Sequence, residues 1–249
     1  MHKIAAFVLL IATSLPALAQ TETPKKAVSR RPDIPGAFVL EFGFNQDISA
    51  PDQFSLNFWG SRTANFYYQY EWRILKSSFS VVPGIGFSLE RYKFNNDHFV
   101  AQDPDDFNSI IMVPPADGGF VGVKKSMLAT NYFEVPLELR FNTKPEDPAR
   151  SFKISVGGRI GFLFDSFDKI KYKEDGELKK VKNKDNFNLN TLRYGLTGRI
   201  GIGAFSVFYY YNLTPLFKEG KGLSDIPATG DPVKNDFNTW TIGISLASF

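Results

Sequence analysis

The chain has 249 residues, of which 43% are hydrophobic and 15% aromatic, and it carries a net charge of +3 with no cysteine. The small, evenly spread charge argues against a nucleic-acid partner, and the absence of cysteine excludes disulfides and attachment of a lipid through a thiol. Many aromatic residues and glycines without a helical period favour an all-β chain.

The first residues have the pattern of a secretory signal. A short basic start leads into an apolar run and then into the small-x-small sequence Ala17-Leu18-Ala19. We therefore predict a signal peptide at residues 1–19. Residues 20–35 are polar and contain proline, which predicts a flexible periplasmic lead-in. Residues 36–249 remain for the folded domain.

Eight segments then alternate large apolar residues with small or polar ones, which is the period of a β-strand. In chain order they are AFVLEFGF (37–44), NFYYQYEW (65–72), FSVVPGIGFSLE (79–90), NYFEVPLELRF (131–141), FKISVGGRIGFLF (152–164), LRYGLTGRIGI (192–202), FSVFYYYNL (205–213) and TWTIGISL (239–246). Each has roughly the 9–11 residues that a tilted strand needs to cross a bilayer. The seventh is irregular, because Phe208 and Tyr210 lie on its polar side. Pro83 and Pro136 lie inside strands, where we expect a bulge or a local break.

The connections between these segments alternate in length. The long ones cover about residues 45–63, 95–123, 165–187 and 214–235, and the short ones about residues 75–77, 142–150 and 203–204. Four long loops at one end and three short turns at the other are typical of an up-and-down membrane barrel. We therefore predict an all-β fold, an antiparallel transmembrane β-barrel of eight strands with long extracellular loops and short periplasmic turns.

The bulky aromatic face of the strands is too large for the interior of an eight-stranded barrel, which side chains just fill. The other face is rich in Gly and Ser and carries acids and bases in similar number, which can neutralise one another in a narrow lumen. We predict a structural polar network in the lumen, formed by Glu41, Glu71, Glu134, Glu138, Arg140, Arg159, Arg193 and Arg199. Glu90 and Lys153 lie on the same face of their strands. The alternative is a soluble, lipocalin-like carrier with its charges in water.

Little in the sequence points to catalysis. His98 is the one histidine outside the signal peptide, and no nucleophile or carboxylate accompanies it at a catalytic spacing. Four aspartates of the same loop lack the spacing of a calcium loop; they are Asp97, Asp103, Asp105 and Asp106. The lysine-rich stretch at residues 171–184 predicts a strand pair that turns at Asp175-Gly176 beyond the membrane. It is either a soluble protrusion or a surface for acidic polysaccharide or a protein. We predict no catalytic residue, no metal site and no cofactor.

Several stretches resemble the PorT-like outer-membrane β-barrel proteins, and together they span the chain after the lead-in. They are WGSR, FYYQYEW, FSVVPGIGFSLERYKF, NYFEVPLELRF and the terminal WTIGISLASF. The resemblance implies an outer-membrane barrel that supports a protein secretion system. A C-terminal phenylalanine, here Phe249, is typical of substrates of the outer-membrane assembly machinery.

These observations predict a non-enzymatic barrel in the outer membrane of a Gram-negative-type bacterium, with a lumen filled by side chains and long loops for binding or assembly. The alternative function is a narrow, porin-like transport channel. The expected partners are outer-membrane lipid, the assembly machinery and an envelope protein bound through the loops, and no nucleic acid.

Overall fold

The computed structural model describes residues 36–104, 109–223 and 237–248. Within these residues the chain forms twelve strands and two short 3-10 helices, Asp52–Phe54 and Pro148–Arg150. The strands are β1 (Ala37–Ile48), β2 (Arg62–Gln69), β3 (Trp72–Arg73), β4 (Phe79–Lys93), β5 (Phe99–Gln102), β6 (Ile110–Val113), β7 (Val123–Asn142), β8 (Phe152–Glu174), β9 (Glu177–Lys184), β10 (Leu192–Ile202), β11 (Phe205–Asn212) and β12 (Asn238–Ala247). No helix in this part of the chain is long and apolar enough to cross a membrane. The predicted signal peptide, the lead-in, Asp105, Asp106 and Phe249 lie outside the described residues.

Eight of the strands form a closed antiparallel ring. Its order is β1-β2-β4-β7-β8-β10-β11-β12, and β12 pairs with β1 from Val39↔Ala247 to Ile48↔Asn238. Closure leaves no strand edge unpaired inside a bilayer. The three short connections follow β2, β7 and β10, and the four long ones follow β1, β4, β8 and β11. The predicted eight-stranded up-and-down barrel is therefore confirmed.

The aromatic face of the barrel is the outer one, as predicted. Phe42 is 50% exposed, whereas the adjacent Glu41 is fully buried. Exposed tryptophans mark both ends of this apolar band. Trp59 packs against Phe44 at the extracellular end, and Trp72 packs against Tyr70 near the periplasmic turns. Aromatic residues at these two levels are typical of the membrane–water interfaces.

The strand prolines interrupt hydrogen bonding without changing the register. Between β4 and β7, the pairs Pro83↔Leu137 and Gly86↔Glu134 keep one register, while residues 84–85 and 135–136 between them are not paired across these two strands. The structure thus has a local break and no bulge at either proline. The physical reason is that a proline removes one donor and adds no residue, and Pro136 still faces Arg159 on β8.

Register shifts occur instead between β7 and β8, toward the extracellular ends of these strands. Asn131 faces Asp165 but Tyr132 faces Leu163, so Phe164 is an extra residue in β8. This bulge reverses the direction of the side chains that follow. Leu163 is buried below the bulge, and Asp168 is buried above it.

The extracellular ends of the strands and the loops enclose a hydrophobic cluster, which we call the apolar cap. Phe54 from the first 3-10 helix is fully buried in it, with ring centroids of Phe94, Phe217 and Phe237 at 4.9–5.9 Å. The buried members are Phe54, Leu56, Tyr92, Phe94, Val100, Ile110, Met112, Leu128, Tyr132, Leu163, Phe187, Leu189, Leu216, Phe217, Leu223 and Phe237. The long loops therefore pack over the barrel mouth as a second core, which the sequence analysis did not predict.

Candidate functional site

The centre of the lumen holds a chain of buried ion pairs. Arg159 on β8 binds Glu41 on β1, with Nη1 3.1 Å from Oε2. Arg199 on β10 bridges Glu41 and Glu138, with Nη2 2.7 Å and 2.9 Å from their Oε1 atoms. All four side chains are at most 7% exposed. Buried charges need this kind of mutual compensation, because each would otherwise be far from water.

The chain of ion pairs continues to the periplasmic rim. Arg140 contacts Glu138 at 3.6 Å and donates to Glu71 at 2.9 Å. The Glu71 side chain is 36% exposed and also accepts a hydrogen bond from Asn142. Lys153 donates to the carbonyl of Gly203 in the short β10–β11 turn. Glu71, Arg140 and Lys153 therefore lie at the mouth of the lumen and not at its centre.

A second cluster lies nearer the extracellular end, around Arg193 on β10. Its Nη1 is 2.8 Å from Glu90 Oε2 and its Nη2 is 2.6 Å from Glu134 Oε1. The same guanidinium donates to Ser88 Oγ and lies over the ring of Tyr132, with 3.7 Å between Cζ and the ring centroid. One arginine thus binds two carboxylates directly below the apolar cap.

Aromatic side chains connect the two clusters. The Tyr67 hydroxyl donates to Glu134 and accepts from Arg159 Nη1 at 2.9 Å. The Arg159 guanidinium lies 5.0 Å from the Tyr210 ring centroid and 5.6 Å from that of Phe208. Phe208 and Tyr210 caused the irregular alternation of the seventh segment, which was the available signal for aromatic rings inside the lumen. Tyr67 lies on the polar face of its segment, but it is not among the residues predicted for the network.

Side chains occupy the lumen from the periplasmic rim to the Arg193 cluster. A cavity of about 20 Å³ remains near the periplasmic rim, lined by residues that include Val39, Arg140 and Lys153. This volume is close to the minimum that one water needs. Above it lie the ion-pair chain, the Arg193 cluster and the apolar cap.

His98 and the described aspartates of its loop, the candidates for catalysis or metal binding, are separate from this network. His98 contacts Asn96, with 3.1 Å between its Nδ1 and the amide nitrogen. No three His, Asp or Glu side chains in the described ranges are placed to hold a metal ion. Asp168 is buried above the Phe164 bulge, with Oδ1 3.5 Å from the backbone nitrogen of Val100. Burial raises the pKa of Asp168 from 3.8 to about 7.

The lysine-rich stretch forms the predicted strand pair. β8 and β9 pair from Phe167↔Lys184 to Glu174↔Glu177, and the two turn residues Asp175 and Gly176 have positive φ of 53° and 83°. Two positive φ values are typical of a tight hairpin turn in which glycine is favoured. All residues of β9 are exposed. The hairpin therefore projects from the ring on the side of the long loops.

A closed eight-stranded ring with an aromatic outer band, a buried ionic interior and long loops at one end defines an outer-membrane β-barrel protein. The chain belongs to the family described as outer membrane protein beta-barrel domain, whose model matches residues 19–218. The protein is accordingly located in the outer membrane of a Gram-negative bacterium. No curated protein matches the chain.

Solved structures of Ail, the attachment invasion locus protein of Yersinia pestis, are similar to this chain. One has 15% sequence identity and a TM-score of 0.33, covering 86% of this chain and 100% of Ail. A second, of Ail in complex with the heparin analogue sucrose octasulfate, has 16% identity with the same coverage and TM-score.

Proposed function

We propose that this protein is a non-enzymatic outer-membrane barrel that conducts no solute and that holds its long loops as a rigid platform for binding or assembly. The observation that carries the proposal is the continuous filling of the lumen. Ion pairs run from Glu71 at the rim to Arg159. Tyr67 connects them to the Arg193 cluster, and the apolar cap lies above. A structure filled in this way supports what is attached to it and does not transport.

The cap gives the loops a fixed arrangement. Side chains from the connections after β1, β4, β8 and β11 meet in one buried cluster, in which Phe54 and Phe217 are fully buried. Loops held by a common core lose less conformational entropy when a partner binds. The β8–β9 hairpin projects from this base, and all residues of β9 are exposed to a partner.

Planar-bilayer recording of the purified protein tests the sealed lumen. We expect no steady conductance steps from the inserted protein. A known porin that gives such steps under the same conditions is the positive control, and protease protection demonstrates insertion. Steady steps from the inserted protein would contradict the filled barrel and favour the porin-like channel.

The resemblance to PorT-like proteins supports a narrower form of this proposal, in which the partner is a component of a secretion system. Affinity capture from the native envelope with detergent-solubilised protein tests it. The matched variant lacks residues 171–174 and 177–180, so that the pair Ile170↔Val181 directly flanks the Asp175-Gly176 turn. A partner captured by the natural chain and lost with this variant supports binding through the hairpin. Equal capture by both chains contradicts it.

A further inference from the structure

One sector of the outer surface above the membrane is strongly basic. The side chains that point outward from the extracellular ends of β2, β4, β7, β8 and β9 form what we call the basic stripe: Arg62, Arg91, Lys93, Lys125, Lys169, Lys171, Lys180 and Lys182. Several of them face one another directly across strands. The register pairs Arg62 with Arg91, Lys125 with Lys171, and Lys169 with Lys182. Like charges in such positions destabilise a sheet unless a counter-charge is present.

The protein provides little of that counter-charge itself. Among the residues that the structure describes, no carboxylate lies within ion-pair distance of any member of the stripe. Asp165, beside the stripe, is already bound by Lys184 at 2.8 Å and by Asn131 at 2.9 Å. Burial, followed by the neighbouring lysines, lowers the pKa of Lys169. An anion outside the chain would relieve this repulsion.

The two arginines of the stripe lie at the depth of the headgroups. Arg62 faces Phe44 across strands, and its Nε donates to the Trp59 carbonyl at 2.8 Å. Phe44 packs against Trp59, which belongs to the extracellular aromatic end of the barrel. Arg91 donates to the neutral oxygens of the Glu90 backbone and Asn131. Both guanidinium groups therefore lie where the polar heads of outer-leaflet lipids begin.

An apolar groove begins at these two arginines and runs along the lipid-facing surface. It has a volume of about 580 Å³. Its lining includes Phe42, Ala64, Leu89 and Ile244, together with Arg62 and Arg91. The cause of the depression is the small Ala64, which lies in register between Phe42 on β1 and Leu89 on β4. The surface thus combines an apolar groove with two arginines, on neighbouring strands, in the lining of one end.

We propose that this surface is a binding site for a phosphorylated, acylated sugar lipid of the outer leaflet. An acyl chain fills the groove, and a phosphate bridges Arg62 and Arg91, which resolves the repulsion between them. Guanidinium groups suit this role because their planar forks bind phosphate oxygens in a bidentate manner. The lysines of the stripe then face the remaining anionic groups of the same lipid layer. This inference depends on the location in the outer membrane and not on any partner of the loops.

Titration of the detergent-solubilised full chain with diphosphorylated lipid A, and with the same lipid after dephosphorylation, tests the site. We expect the natural protein to prefer the phosphorylated form. The Arg62→Gln/Arg91→Gln variant should bind it about 30-fold more weakly, since each basic residue near an anionic lipid surface contributes about 1 kcal/mol. The matched control Lys218→Gln/Lys221→Gln removes two charges from the β11–β12 connection and should bind as the natural protein does.

Two results would overturn the proposal: equal affinity for both forms of the lipid, or equal weakening by the control variant. The Arg62→Lys/Arg91→Lys variant keeps the charge and guards against a folding defect. It should retain part of the affinity, because an ammonium group is a point charge without the fork. Neither the conductance test nor the hairpin deletion alters these two arginines, so failure of this inference is distinguishable from failure of the proposed function.

Discussion

Replacement of Arg193 with methionine tests whether the lumen is sealed. The natural side chain is 2% exposed and binds two carboxylates, Glu90 and Glu134, which are 4% and 1% exposed. Methionine fills a similar volume but leaves both carboxylates without their guanidinium. Breaking a buried ion pair from one side costs about 3–5 kcal/mol. We expect the Arg193→Met variant to lose that much free energy of unfolding.

The assay is urea unfolding of the protein in lipid vesicles, followed by tryptophan fluorescence. The triple variant Arg193→Met/Glu90→Gln/Glu134→Gln should recover most of the loss, because replacing a complete buried ionic cluster with neutral groups is often close to neutral. The matched control is Arg150→Gln. Arg150 is exposed and pairs with Asp147 at 3.8 Å in a periplasmic turn, so its removal should change the free energy by less than about 0.5 kcal/mol.

A loss below about 1 kcal/mol for Arg193→Met would refute the reasoning, since surface ion pairs contribute no more than that. It would mean that water reaches Glu90 and Glu134 and replaces the guanidinium. A triple variant as unstable as the single one would also refute it, because the defect would then come from packing and not from unpaired charge.

Three further predictions concern the loops and the lumen. Burial raises the pKa of Asp168 from 3.8 to about 7, so the stabilisation by its protonated carboxyl group is complete below about pH 4 and is lost as the pH rises through 7. Asp168→Asn should remove this pH dependence, which amounts to up to about 4 kcal/mol, from the amide exchange of the loops. The control Asp175→Asn, at an exposed position, should leave the dependence unchanged. Gly161→Val should cost about 1–3 kcal/mol in urea unfolding, because even a Cβ would lie 3.1 Å from Arg193 Cγ. A Cβ at Gly198 meets no atom within 4 Å, so Gly198→Val should be better tolerated. Phe54→Ala should destabilise the apolar cap by about 3–5 kcal/mol and expose the extracellular loops to protease while the barrel persists, unlike Phe58→Ala at a 39% exposed position.

The alternation of side chains made the barrel predictable from sequence. Each spanning strand has one side toward lipid and one toward the lumen, so a residue such as Glu138 and its neighbour Leu139 differ in environment by strand geometry alone. The same period assigned Glu41, Arg159, Arg193 and Arg199 to the interior before any contact was known. The strand pattern does not give the partners, because pairing depends on the shear of the ring. Glu41 and Arg159 are 118 residues apart.

The apolar cap and the Phe164 bulge had no comparable signal. Phe54, Ile110 and Phe217 come from three different connections, where no period relates one buried side chain to the next. The bulge adds one residue to β8, and a one-residue change reverses every later assignment of inside and outside. For that reason the burial of Asp168 and the outward direction of Lys169 and Lys171 become visible only with the register.

The charges of the lumen are ordered along the chain. The five lumen glutamates, Glu41, Glu71, Glu90, Glu134 and Glu138, all precede the four arginines, Arg140, Arg159, Arg193 and Arg199. The strands up to β7 therefore bring an excess of negative charge to the lumen, which Arg140 alone does not cancel. The five acids are matched only when β8 adds Lys153 and Arg159 and β10 adds Arg193 and Arg199. The two signs of charge therefore come from different parts of the ring, so that the lumen is balanced only in the closed barrel and in neither half by itself.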